Sequence, residues 1–508
     1  MARKSNKVHP DNAPFFHENH KKPTTRREFL AQGFIAGNAM IMGPSILGGF
    51  LGRSSEAFAQ AVDCGMAAGA GGNSLPYIGH DLAGGASIAG SNVLVGALDG
   101  QFSNMSVDVI SRDGWRRLGL PPAFIPTEAG ANVDFIGGAG ASTTLAFHLD
   151  SPLLQGIRTT ASAGTLASVD GTIFCARSDN DTGNNPHNPI YGIAMAGAMG
   201  SLATLVGTRD SDSGGRSRAP DSMMDPALRP TKVSRDRDAR GLADGGRLLE
   251  ILDNNSNAQM MVLQSIENLS TQKLQMLNEG ALIDQLVTCG YQQGAQTLTS
   301  FTPDGVSPLA DAQLVNIFAN QNLDVTDGDF QKTAATMKLV VDGFAGAGTV
   351  EQGGYDYHNG TRTTGEARDL RAGQRIGACL EYAALRNKPM VIYLFSDGSV
   401  FSDGQADGGA NGKYAWRGDR STTAATVMLA YNPSGRPNVL KHQIGHYKEN
   451  GSLDTRATAI SSNVDALAEA IVLNYLALNG RSAEFEQLFP NHLLGSNWQD
   501  FIAFAPMA

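Results

Sequence analysis

Gly353-Gly354-Tyr355-Asp356-Tyr357-His358 and Phe395-Ser396-Asp397-Gly398-Ser399 lie in the C-terminal third of the 508-residue chain, and they decide its fold. Each follows a segment with strand character, and a long amphipathic pattern separates them. Met390 to Phe395 (Met-Val-Ile-Tyr-Leu-Phe) is an uninterrupted apolar run after Pro389, as expected of a strand covered on both faces. The strand before the first stretch, near Ala345 to Val350, is diluted by glycine and weaker as a pattern. A strand–helix–strand unit of this kind brings Asp356, His358 and Asp397 to the carboxyl ends of neighbouring parallel strands. Open α/β sheets place their ligands at that edge. Two carboxylates and an imidazole there suit a hard metal ion or acid–base chemistry.

The intervening pattern predicts a helix capped near Thr363, with Glu366 as the capping-box partner. Ile376, Cys379, Leu380 and Ala383 form its apolar face, and Arg368, Arg371 and Arg375 fill another. Upstream, Phe330 to Asp342 reads as a helix stopped by Gly343. Near the C-terminus a further helix is predicted, capped by Ser462 with Asp465 at N3 and stopped by Gly480.

Working toward the N-terminus, Leu75 to Asp81 reads as the first strand, entering the glycine-rich turn Asp81-Leu82-Ala83-Gly84-Gly85-Ala86-Ser87. Such a turn brings backbone amides and one carboxylate near a ligand, or is simply a tight turn with an Asx cap. Thr172 to Ala176 reads as another strand, followed by the densest polar cluster of the chain, Arg177 to Pro189. That loop supplies candidate nucleophiles, Ser178 and Thr182, or is an ordered connection held by Asx turns. Thr208 to Gly246 is the least ordered-looking portion, of the kind that forms a lid or a crossing between subdomains. Helical spacing of Leu and Met from about Arg247 to Cys289 predicts a helical insertion on the sheet.

Thr25-Arg26-Arg27-Glu28-Phe29-Leu30 matches the twin-arginine export pattern. A modestly apolar segment follows, then the small-x-small sites Ala57-Phe58-Ala59 and Ala59-Gln60-Ala61. Residues 1–59 therefore read as a signal peptide, and the protein is expected to be periplasmic or otherwise exported. These residues hold eight Lys/Arg and four Asp/Glu, which leaves 31 basic and 45 acidic residues, a net charge of −14. So acidic a remainder argues against nucleic acid as a partner, since that needs a basic footprint. No later stretch is apolar and long enough to span a bilayer. Cys64, Cys175, Cys289 and Cys379 are scattered without a CxxC pair, which argues against a zinc ribbon or a disulfide scaffold. With 60 glycines and 17% charged residues, the chain suits a loop-rich α/β protein better than a helical bundle.

The leader, the Asp81–Ser87 turn, the Gly353–His358 block and the strand ending Ser396-Asp397-Gly398 together resemble a divergent member of domain of unknown function family 1501. That exported family is grouped with the alkaline-phosphatase-like fold. The resemblance implies one α/β domain over residues 60–508: a doubly wound, mostly parallel sheet with a loop and helical insertion at about 208–290. It also implies a divalent metal (Zn, Mg or Ca) at the sheet edge, with Asp356 and His358 on one ion and Asp397 on a second, and a Ser, Thr or Cys nucleophile. Asp81 is the candidate to complete the second site, because Ser87 stands where relatives carry an early Asp. Arg420 stands where relatives carry the His of an Asp-His pair; a guanidinium does not ligate metal but can clamp an oxyanion. His442 and His446 are substitutes at a different spacing.

Two functions follow as expectations. One is metal-dependent hydrolysis of a small phosphate or sulfate ester, and the other is a non-catalytic scaffold or cation-binding role with an envelope protein partner. No motif for a nucleotide or organic cofactor is evident.

Overall fold

The structure is a computed structural model. It describes residues 74–98, 105–138, 144–179, 185–243 and 301–507, with the isolated positions 261 and 265. Residues 1–59, expected to be a signal peptide, lie outside the described residues, as do Thr182, Cys64, Cys289 and, apart from positions 261 and 265, the insertion expected at 247–289.

An eight-stranded sheet organises the domain. Its strands are β1 (Tyr77–Leu82), β2 (Val169–Phe174), β3 (Ala203–Gly207), β4 (Thr231–Lys232), β5 (Ala345–Gln352), β6 (Met390–Phe395), β7 (Thr426–Tyr431) and β8 (Gln443–Ile444). They run in the order β8-β2-β7-β6-β1-β5-β3-β4. All neighbours are parallel except β7, which is antiparallel to both β6 and β2. The fold is α/β with a mostly parallel, doubly wound sheet.

Alternation along the strands builds the two sides of the core. Ile392 and Leu394 of β6, with Ile78 of β1, join the cluster formed by α1 (Pro152–Thr160), α3 (Gly328–Val341) and α4 (Arg362–Leu385). Val391, Tyr393 and Phe395, with Tyr77, join the opposite cluster under α2 (Ile190–Met195) and α5 (Val464–Leu478). Every residue of β6 is therefore buried, which is why its sequence is apolar without interruption. β5 is equally buried over eight residues despite its glycines, because small side chains suffice where helices press on both faces.

Several local expectations shift. α4 starts at Arg362 with Thr361 at the N-cap and no side-chain cap. Glu366 instead accepts from Arg362 Nε at 3.0 Å and Lys413 Nζ at 2.9 Å, so an ion-pair network replaces the capping box. Ser462 ends a separate short helix, and Asn463 caps α5 by accepting from the amides of Asp465 and Ala466. Gly343 and Gly480 end α3 and α5 in left-handed conformations, as expected. The Thr208–Gly246 connection, over its described part, contributes β4 and the helix Asp236–Leu242 rather than only loop. Cys175 and Cys379 are buried free thiols. Among the described residues no helix is long and apolar enough to cross a membrane.

Candidate functional site at the carboxyl edge of the sheet

The registers of β1 with β5 and β6 bring three strand ends to one level. Asp81 stands opposite Phe395 on one side and Glu351 on the other. The segments leaving those strands are Ala83–Ser87, Gly353–His358 and Ser396–Ser399. They are tied together by buried hydrogen bonds. Ser396 Oγ accepts from the Ala86 amide at 2.8 Å and donates to Leu82 O at 2.6 Å. The Gly84 amide donates to Asp397 Oδ1 at 2.6 Å, the Tyr355 amide to Ala83 O at 3.2 Å and the Ser87 amide to Tyr357 Oη at 3.0 Å. Gly84 (φ 126°) lies so close that a Cβ would come within 2.6 Å of the Asp356 nitrogen. Only glycine fits both that conformation and that approach.

Asp81 and Asp397 are both buried, and their charges oppose each other. Burial, then the Asp397 charge, push the Asp81 carboxyl up to about 7, against the pull of its hydrogen bonds. Those bonds come from the 208–243 connection: the amides of Arg216 and Ser217 donate to Oδ2 at 2.7 and 2.8 Å, and Ser217 Oγ to Oδ1 at 3.0 Å. Gly215 permits the approach, since a Cβ there would sit 2.7 Å from Asp81 Oδ2. Both oxygens of Asp81 thus anchor a loop, and the residue faces Asp397 as a charge. Asn185 holds the other side of Asp397, donating from Nδ2 to its carbonyl oxygen at 2.7 Å.

Asp356 and His358 stand at the more open end. The His358 Nδ1 atom lies 2.8 Å from Asp356 Oδ1 and 3.1 Å from Asp419 Oδ1. Neither contact has hydrogen-bond direction, so this buried nitrogen is flanked by two carboxylates and committed to neither. The imidazole is 38% exposed, Asp419 40% and Asp356 76%, so the cluster opens to solvent. Burial raises the Asp419 carboxyl above its ordinary value; His358 opposes that, and the Asp356 and Asp397 charges add to it. These influences place Asp419 within electrostatic reach of all three. Asp419 is on a two-residue strand, Gly418–Asp419, paired with Val400–Phe401 just after the Ser396–Ser399 segment.

Other candidates take different places. The Arg420 guanidinium lies over the Phe401 ring, 4.5 Å from its centroid, while its amide donates to Ser399 O at 3.0 Å. Ser178 is fully buried, and its amide faces Ser421 O at 3.3 Å, which puts its loop beside the Arg420 segment. Ser87 is buried in a hydroxyl pair with Ser91 at 2.8 Å. His442 and His446 pair elsewhere, with Asp170 at 3.2 Å and Asp454 at 3.6 Å.

The structure therefore gathers Asp81, Asp397, Asp356 and His358 at one edge and adds Asp419, which was not among the sequence candidates. It lies on a two-residue strand, which leaves no pattern in the sequence to single it out. Among the described residues no three His, Cys, Asp or Glu side chains are already disposed to hold a metal ion. Compared with protein-family models and with curated protein sequences, the chain matches none.

Proposed function

We propose that the chain is an exported, metal-dependent hydrolase of phosphate or sulfate esters. Its divalent cation would be held by Asp356, His358 and Asp419, with Asp397 behind them. The observation that carries this reading is the His358 Nδ1 atom, close to two carboxylates and hydrogen-bonded to neither. Carboxylates with one imidazole form a donor set suited to Zn, Mn or Mg. A bound cation would neutralise the transferring phosphate or sulfate group. Asp81 would act through its charge on Asp397, because both its oxygens already accept hydrogen bonds. Arg420, beside the cluster, would donate to the ester oxyanion once drawn off Phe401. Thr182 remains the proposed nucleophile together with Ser178, which would have to be uncovered to react.

That burial of Ser178 favours a second reading, a non-catalytic cation-binding scaffold for an envelope protein partner. Elemental analysis of the exported protein, paired with hydrolysis of 4-nitrophenyl phosphate and 4-nitrophenyl sulfate, separates the two. Bound metal with turnover that disappears in His358→Ala supports the hydrolase. Bound metal without turnover supports the scaffold, and absence of both after metal loading refutes each.

A further inference from the structure

Burial alternates along the segment that leaves β5. Tyr355 and Tyr357 are buried, whereas Gly354 and Asp356 are exposed and His358 is partly so, which sets Gly354, Asp356 and His358 on its outer face. The guanidinium of Arg368 lies against that face at Gly354. A Cβ on Gly354 would come within 2.9 Å of Arg368 Cζ, 3.0 Å of Nε and 3.1 Å of Nη2. Glycine is required there twice over, by this approach and by its φ of 93°. The backbone of Arg368 is fixed from the same stretch of chain: its carbonyl oxygen accepts from Tyr355 Oη at 2.9 Å and from Gln352 Nε2 at 3.2 Å.

Arg368 differs from the other arginines of α4. Arg362 is held by Glu366 at 3.0 Å, Arg371 by Asp329 at 2.9 Å and by Asp327, and Arg375 by Thr333 at 2.7 Å and by Gln352. The Arg368 side chain is half-buried and makes no ion pair or hydrogen bond among the described residues. Its N–H donors are therefore uncommitted. Two residues of extended chain cover about 7 Å, so the guanidinium stands close to Asp356 without pairing with it. Asp356 in turn is 2.8 Å from His358 Nδ1. A guanidinium with open donors supplies what a carboxylate–imidazole cluster lacks toward an anion, a fork of parallel N–H groups.

We propose that Arg368 is the specificity-determining residue of this site, gripping the oxyanion of a phosphate or sulfate ester with paired N–H donors while the ester lies at the His358 cluster. This rests on the reading of that cluster as a cation site. A fork that is always charged selects a tetrahedral oxyanion over a neutral carboxylic ester or amide. Gly354 leaves room for the fork, and Tyr355 and Gln352 fix the backbone that carries it. Arg420 acts from the Asp419 segment and is occupied by the Phe401 ring, so Arg368 is the donor that needs no release from a partner.

Calorimetric titration of the full chain with inorganic phosphate and with sulfate, both metal-free and loaded with Mn²⁺, tests it. The expected result is saturable binding of at least one anion, the tighter of the two identifying the class of ester. Affinity should fall at least tenfold in Arg368→Gln and at least threefold in Arg368→Lys, which keeps the charge but not the fork. Mn²⁺ affinity should stay within threefold of the parent in both variants. If Mn²⁺ does not bind, anion binding that is lost in Arg368→Gln upholds this inference while the cation reading fails. If Mn²⁺ binds and anion affinity is unchanged in both variants, this inference is overturned while the cation reading stands. It is overturned as well if the parent binds neither anion in either state, or if Mn²⁺ affinity falls in parallel with that for the anion, which would show Arg368 acting through the fold.

Discussion

Replacing Ser396 by alanine removes one oxygen and strands two backbone groups. Ser396 is buried, and its Oγ bridges the Ala86 amide and the Leu82 carbonyl, joining the end of β6 to the turn that leaves β1. In Ser396→Ala the amide loses its hydrogen bond in a place water does not reach, and the carbonyl loses a donor. An orphaned buried polar group costs about 1–3 kcal/mol. With the amide counted in full and the carbonyl in part, the variant should lose about 2–4 kcal/mol. Urea unfolding followed by circular dichroism reads this directly, with an unchanged m-value showing that the folded and unfolded states are otherwise alike. The same variant should weaken cation binding, because the Gly84 amide that grips Asp397 belongs to the same turn. A loss below about 0.5 kcal/mol, the range of ordinary surface substitutions, would refute the bridge as the element that holds the two strand ends together.

Gly84→Ala combines a disfavoured φ with a steric overlap on the Asp356 nitrogen, and should destabilise by about 2–5 kcal/mol in the same assay; a change under about 1 kcal/mol would show that the turn is not pressed against that segment. The Asp81 carboxyl, raised from 3.8 to about 7, stabilises the fold fully below its unfolded value, and that contribution is lost as pH rises through 7. Asp81→Asn removes this dependence. The metal-free parent should therefore lose on the order of 4 kcal/mol relative to the variant between pH 4 and 8, and parallel stability–pH curves would contradict the assignment. Asp419→Asn should leave stability within about 0.5 kcal/mol, since the residue is a partly exposed surface carboxylate; a larger loss on thermal unfolding would mean that Asp419 is structural.

What the sequence makes legible here follows from which interactions leave a side-chain pattern. The double burial of Met390–Phe395 requires apolar residues throughout, so β6 and its interior place in the sheet can be read directly. The Gly84–Gly85 turn is legible because close backbone approach demands glycine, and the Gly353–His358 block because Gly354 has a positive φ. Asp419 is not, because a two-residue strand has no periodicity and its partner His358 is distant in sequence. The anchoring of Asp81 is hidden for a different reason: two of its three donors are backbone amides, which any residue but proline at 216 and 217 supplies. Ser178 reads as an exposed loop hydroxyl from its neighbours, yet packing between the strand ends buries it completely.

The central claim is that Asp356, His358 and Asp419 hold a divalent cation. Isothermal titration of the chelator-stripped protein with Mn²⁺ tests it most directly. The expected result is one saturable site per chain, weakened at least tenfold in both His358→Ala and Asp419→Asn. Binding that is absent, or that is unchanged in both of the first two variants, would contradict it.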